Sequence, residues 1–491
     1  MYQNSVQLKQ QRDKAEEQAL IANKTTEFLT TLFQAASPLG NQGKDLDLVS
    51  VLEQGERQLV EGLGQQPKVI GALSLVMAGI QHHIDNTPKA IDHYLRAINV
   101  FQQANDLDGE LTAIGQLAVM YFRNDDLKNS DRQFSAGDSM AERIEDPESL
   151  AWFLLKKATV GNERGQREQA AQYAEEALSL LKGTDENIAL LGRLYSEWGQ
   201  AIEFTESQLA FEFNEKALNY AARDEGEIHP TYLGRLSTKA LRLMRLNRYD
   251  EAVEYIDETI AIAEKLYSDQ HPKYASFLTS KVTYLHDKGY FKQAEQVYQK
   301  ILSIYFNSYG KNNYDYARVT NNLAYLYEDQ GQLLLAKELY RQSVELRIQL
   351  DSNNKIRVAT AQSNFARVLA KLNQHTESAA LVQQVMPVYA ANKRSNLYNL
   401  IIKLANTFGD GGDIETCQQG KDRLQSLKAE IKKESAKGWR RLGAELWIAQ
   451  MLKACQFEVE ANMWLNSAYE MSKNIYQADS EGFKMIQQQV K

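Results

Sequence analysis

Asn322 and Asn364 stand 42 residues apart, and Thr238 and Ser280 precede them in the same phase. An asparagine side chain carries both a donor and an acceptor. A ladder of such residues can therefore bond the backbone of an extended peptide without reading its sequence. Around them Ser276, Thr279, Thr283 and His286, then Arg318, Asn321, Tyr325 and Glu328, then Thr360, Ser363 and Arg367 follow three- and four-residue steps that place each set on one helix face. Arg318 and Arg367 suit a carboxylate, either a ligand's or that of a neighbouring glutamate. The chemistry these residues offer is recognition. The competing role for the asparagines is to cap turns or to bond neighbouring helices.

Catalysis and metal binding find little to stand on. His82-His83 with His93 lacks a matched carboxylate or cysteine set, and adjacent histidines on a helix point apart. Gly409 to Asp413 carries two carboxylates but not the alternating oxygen ligands of a calcium loop. No Ser/His/Asp or Cys/His arrangement assembles, and the chain shows no glycine-rich phosphate loop, His-Arg-Asp or Asp-Phe-Gly. The expectation is a chain that is not an enzyme and needs no cofactor or metal.

The elements that must position the polar residues follow from an internal repeat. Ala90, Ser130, Ala170 and Ala210 are each 40 apart, and from there Ala252, Ala294, Ala336 and Ser378 are each 42 apart. Twelve residues before these anchors stand Ala78, Ala118, Ala158, Trp198, Ala240, Val282, Ala324 and Ala366. Four and seven residues after them, larger and then mostly small residues recur, as on one helix face. Small residues let two antiparallel helices approach, and the larger residue between them fills the gap to the next hairpin. Gly289, Gly331 and Asn373 keep the 42-residue step at turns, where a left-handed backbone ends the first helix of a pair.

This pattern resembles the tetratricopeptide family. From His229 to about Ala390 it is similar to the 42-residue subtype of kinesin light chains: His229-Pro230 and His271-Pro272 open their repeats, and Asn312-Asn313 takes that slot in the next. Asn322-Leu323-Ala324-Tyr325-Leu326-Tyr327, Gln330-Gly331 and Ala336-Lys337-Glu338-Leu339-Tyr340 continue the match. Trp198, in place of a small residue, and Gly161, in place of a tyrosine, depart from it. The resemblance implies an all-α superhelix of about ten hairpins whose first helices line a concave groove. It also implies a peptide or protein partner held there by Thr279, Thr283, His286, Arg318, Asn321, Asn322, Tyr325, Ser363, Asn364 and Arg367. Tyr232, Tyr274 and Tyr316, also 42 apart, are expected to pack between hairpins.

A second resemblance covers about the first eighty residues. Arg12-Asp13-Lys14-Ala15-Glu16, Phe28 to Phe33, Ala36-Ser37-Pro38 and Gln66-Pro67 are similar to the segment that precedes the repeats in bacterial serine/threonine protein kinases with tetratricopeptide tails. It implies a sensory or docking tail of such a membrane-anchored kinase, its catalytic domain absent from this chain, or a stand-alone relative.

The chain has 491 residues, 43% hydrophobic, with only seven prolines, which suits long helices around a continuous core. Four segments are expected. Residues 1–66 form an N-terminal helical part, with one helix over 1–35 packing Phe28, Leu32 and Phe33 and a second over Leu46 to Leu63. Residues 67–228 carry the 40-residue repeats, 229–392 the 42-residue repeats, and 393–491 the capping hairpins, where Trp439, Trp447 and Trp464 concentrate and could support a homo-oligomer. A net charge of −8 with no basic run, Lys432-Lys433 and Arg440-Arg441 reading as solvated faces, argues against nucleic acid. The longest apolar stretch, Ile70 to Ile80, is about half the ~20 residues of a membrane span. Met1 to Gln11 is polar, and Cys417 and Cys455 suggest neither a metal site nor a disulfide framework, so a reducing cytoplasm is the expected compartment.

Overall fold

The computed structural model describes residues 2–36, 52–53, 55–57, 66–84, 86–124, 126–182, 187–350, 355–391, 397–408, 413–434 and 439–490. Among them there is no strand. A long helix α1 (Tyr2–Ala36) comes first. Ten helical hairpins follow: α2 (Pro67–His83) with α3 (Thr87–Gln103), α4 (Leu107–Arg123) with α5 (Leu127–Ala141), α6 (Pro147–Glu163) with α7 (Arg167–Leu180), α8 (Ile188–Ile202) with α9 (Ser207–Asp224), and α10 (Pro230–Arg245) with α11 (Tyr249–Leu266). The remaining five are α12 (Pro272–Asp287) with α13 (Phe291–Tyr309), α14 (Tyr314–Asp329) with α15 (Leu333–Leu350), α16 (Lys355–Lys371) with α17 (His375–Ala391), α18 (Leu397–Phe408) with α19 (Ile414–Glu434), and α20 (Trp439–Ala454) with α21 (Glu458–Ile475). A last helix, α22 (Glu481–Val490), closes the chain. Two compact units result, Met1–Tyr220 and Ala221–Lys491, each a stack of such hairpins.

The phased small residues are where the helices touch. All eight anchors, from Ala90 to Ser378, have no exposed surface. Two of the serines in this phase also serve as hydrogen-bond donors: Ser343 Oγ donates to Ala317 O and Ser378 Oγ to Ala366 O, both at 2.8 Å. At these two positions a hydroxyl replaces a methyl at no cost in unpaired polarity, whereas the buried Ser130 hydroxyl finds no hydrogen-bond partner among the described residues. The turns behave as their residues require, with left-handed backbone at Asn247, Gly289, Gly331 and Asn373. The His-Pro openings are helix caps. His229 Nδ1 accepts from the Thr231 amide and His271 Nδ1 from the Lys273 amide, while proline fills the first helical position, where an amide would be orphaned.

In the first unit, Phe28 of α1 packs with Leu52, Val69, Leu73 and Met77. The side chains of Leu32 and Phe33 lie outside the described residues. So does most of the helix expected over Leu46 to Leu63, of which 52–53 and 55–57 are helical. Gly161 faces the anchor Ala170, and a Cβ there would stand 3.2 Å from the alanine methyl, so its smallness brings α6 and α7 together. Trp198 takes the opposite solution, its ring 4.5 Å from that of Phe213 across the α8–α9 hairpin.

The second unit departs from expectation at its C-terminal end. Cys417 and Cys455 form a disulfide, with Cα atoms 5.7 Å apart. The expectation of no disulfide is therefore corrected: Cys417, in the first turn of α19, and Cys455, just after the end of α20, are buried in one core and meet although 38 residues separate them. Both lie in a core with Trp447 and Phe408, against which Trp464 packs; the side chain of Trp439 lies outside the described residues. The Asp413 end of the expected flexible loop is a helix cap, accepting from the Thr416 amide at 2.8 Å, while 409–412 lie outside the described residues. Helix α22 is not foreseen by the sequence reading, although Ser480 caps it by accepting from the Phe483 amide. No described helix is long and apolar enough to cross a membrane.

Candidate functional site

Helices α12, α14 and α16 are the first members of three successive hairpins in the second unit. Between α14 and α16 the centre is Glu328, which is almost wholly buried. Arg367 Nε and Nη2 donate to its two oxygens at 2.7 and 2.8 Å, Tyr340 Oη donates at 2.9 Å, and Lys371 Nζ stands 2.9 Å away. Burial by itself would raise the Glu328 carboxyl, but the Arg367 and Lys371 cations outweigh it and hold it well below the usual carboxylate range. Burial, then the adjacent Glu328 charge, pushes the Tyr340 phenol far up, so this hydroxyl stays protonated and donates.

The network runs on toward the asparagines. Arg367 Nη1 donates to Asn364 Oδ1 at 3.1 Å, and Asn364 Nδ2 donates to Asn321 Oδ1 at 3.1 Å. Asn321 Nδ2 then reaches Asn322 Oδ1 at 3.4 Å. The lateral rung between α14 and α16 is thus Asn321 to Asn364. Asn322, one residue on, lies at the edge of the network and is half-buried. Tyr325 sits between His286 of α12, 5.2 Å between ring centroids, and the Arg367 guanidinium, 5.2 Å from its ring. His286 is itself held by Asp329 at 2.8 Å.

The ten residues singled out by the sequence divide by exposure. His286, Asn321, Ser363 and Arg367 are buried. Thr279, Thr283, Arg318, Asn322, Tyr325 and Asn364 are half-buried. Thr283 Oγ1 donates to Thr279 O within its own helix, and Arg318 pairs with Asp315 at 3.1 Å. All ten lie on α12, α14 or α16; His286, Asn321, Asn322, Tyr325, Asn364 and Arg367 meet one another directly, the Thr283 hydroxyl and Arg318 bond within their own helices, and the Thr279 hydroxyl finds no hydrogen-bond partner among the described residues.

The sequence reading missed what lies at the C-terminal ends of these helices. A cavity of about 280 Å³ opens there, lined by Asp329, Lys371, His375, Trp447 and Met485 among others. Met485 arrives on α22, which is anchored 189 residues away along the chain. Gly482 N donates to Gly289 O at 3.1 Å, Tyr290 Oη to Asp479 at 3.1 Å and the Lys292 amide to Glu481 at 2.9 Å. Gly289 and Gly482 meet so closely that a Cβ on Gly482 would stand 3.1 Å from Gly289 Cα. The glycine at 289 is legible from its turn position, but nothing local marks Gly482 as its partner.

Residues 236–307 and 315–391 match the family model described as tetratricopeptide repeat. No curated protein matches the chain. Among solved structures, a putative kinesin light chain from Podosopora anserina with TPR-like repeats is 20% identical, covering 42% of this chain and 99% of its own, with a TM-score of 0.35. BtubC from P. vanneervenii is 19% identical over 45% of this chain and 92% of its own, with a TM-score of 0.38. The apo form of RapI is 15% identical over 77% of this chain and 98% of its own, with a TM-score of 0.49.

Proposed function

With residues 236–307 and 315–391 matching the tetratricopeptide-repeat model, we propose that this chain is a protein-interaction scaffold whose α12, α14 and α16 face binds an extended peptide segment of a partner. One observation carries the reading: the Asn321–Asn364 rung is held in place from behind by the buried Arg367–Glu328 pair. A polar edge fixed in this way loses little rotamer freedom on binding, which is what preorganisation contributes to affinity. Asn322 and the Tyr325 ring stand beside it, half-buried, and supply a donor, an acceptor and an aromatic surface to a peptide backbone, with Thr283 half-buried on α12. The reading is non-catalytic and uses no cofactor. The likeness of the first eighty residues to kinase tails supports a variant in which the same face docks a regulator or substrate.

The test is a random peptide display selection on the purified chain, followed by titration of selected peptides against Asn322→Ala/Tyr325→Ala. Asn322 lies at the edge of the Glu328 network, and Tyr325 packs between His286 and Arg367, so the double variant is expected to melt somewhat below the parent and affinities are compared at a temperature where both are folded. A loss of about tenfold or more in affinity, typical of removing an aromatic anchor and its polar neighbour, supports the site. Equal binding by parent and variant, or selection of no peptide, overturns it.

A further inference from the structure

The first unit carries a separate constellation on α4, α6 and α8, which pack side by side. Lys156 Nζ lies 5.7 Å from the Trp152 ring centroid, and Arg193 Cζ lies 5.4 Å from the same centroid. Two cations therefore share one indole. Arg123, at the end of α4, approaches His82 at 2.8 Å and is close enough to Lys156 to act on it electrostatically. Gly115 on α4 lies against Lys156: a Cβ there would stand 3.5 Å from Lys156 Cγ, an ordinary contact.

Basic side chains elsewhere in the unit find acids: Lys157 pairs with Asp138 at 2.7 Å and Arg167 with Glu203 at 3.6 Å. Among the described residues Lys156 and Arg193 have no carboxylate at ion-pair distance. The one acid that bears on Lys156 is Glu197, and its oxygens already accept from Thr159 Oγ1 at 3.0 Å and Asn162 Nδ2 at 2.8 Å. Burial, then the charges of Arg193 and Arg123, push the Lys156 ammonium down to about 8. A half-buried lysine held between like charges is stabilised by an anion that comes to it.

We propose that Lys156, Arg193, Arg123 and Trp152 form a second binding site, independent of the α12–α16 face, for an acidic peptide segment of a partner protein. One or two carboxylates seat between the lysine and the guanidinium groups, and the indole carries the apolar part of the segment. The cluster is confined to a few side chains in a chain of net charge −8, which suits a short acidic peptide. A phosphate backbone would need a continuous basic stripe.

Fluorescence anisotropy with labelled octaglutamate at low salt tests this on the full chain, against Lys156→Met, Lys156→Arg and Arg193→Gln. Binding should fall about tenfold or more in Lys156→Met and Arg193→Gln and persist in Lys156→Arg, because a charge-assisted contact is lost in the first two only. Arg193 is exposed, so its variant keeps the fold and carries the test independently of Lys156→Met. Absence of octaglutamate binding, or binding unchanged in Arg193→Gln, overturns the proposal. Tighter binding of a charge-matched oligothymidylate, lost in the same variants, overturns it in favour of nucleic acid.

Discussion

Arg367 grips Glu328 with two parallel hydrogen bonds across 39 residues of sequence, and both side chains are almost completely removed from solvent. The pair joins successive hairpins and also orients the asparagine rung. Removing one partner leaves the other charged and buried. Arg367→Met is therefore expected to cost about 3–5 kcal/mol in denaturant unfolding of the second unit. The double variant Glu328→Met/Arg367→Met should be less destabilised than the sum of the single variants, since the two most buried charges go together and only Lys371, nearer the surface, loses its partner.

The same pair sets the acid limit of the second unit. The Glu328 carboxyl is depressed in the folded state, so its contribution is fully present above the unfolded carboxylate range. It is lost as pH falls from about 4.5 toward about 2. Melting temperatures across that window should drop steeply in the parent, and Glu328→Gln, already weakened at neutral pH, should show a flatter profile.

Lys156 gives a dependence of opposite sense. Its folded value near 8 lies below the usual 10.5, so the unfolded chain binds more protons between them. Stability of the first unit should rise as pH increases through that interval, by on the order of 2 kcal/mol once discounted for the solvent that reaches the group. Arg193, Arg123 and Glu197 are the charges that act on it. Lys156→Met should remove the dependence and raise the melting temperature at neutral pH.

The Cys417–Cys455 bridge closes a loop of 38 residues, for which chain entropy gives about 3–4 kcal/mol of stabilisation. Reduction, or Cys417→Ser/Cys455→Ser, should lower the melting temperature of the second unit and leave that of the first unchanged. Equal melting with and without reductant would show that the core around Trp447 holds α19 and α20 together unaided.

Gly482 has no room for a side chain, because a Cβ would stand 3.0 Å from the Phe291 ring and 3.1 Å from Gly289 Cα. Gly482→Val is expected to detach α22. Hydrogen exchange should then speed up at amides 482–490 while helix α12 keeps its protection. Unchanged exchange at Gly482, whose amide bonds Gly289 O, would show that the contact tolerates a side chain.

The residues of the sequence by themselves determined the hairpins and their phase. Ala90 through Ser378 mark the points where helix backbones touch, and only small residues fit there, so packing is written as a local period. Turn glycines and asparagines and the His-Pro caps are equally local, since each answers to its own φ or its own orphan amides. The candidate polar residues were legible to within one position. Asn364 bonds Asn321 while Asn322 stands at the edge, because a single step along a helix turns a side chain by about 100° and only the rotation between hairpins says which one meets its neighbour. Tertiary structure alone decided that Glu328 takes Arg367, that Cys417 meets Cys455, and that α22 returns to Gly289. Each of these joins residues tens to hundreds of positions apart, where small rotations summed over several hairpins fix the distance and no local pattern records the total.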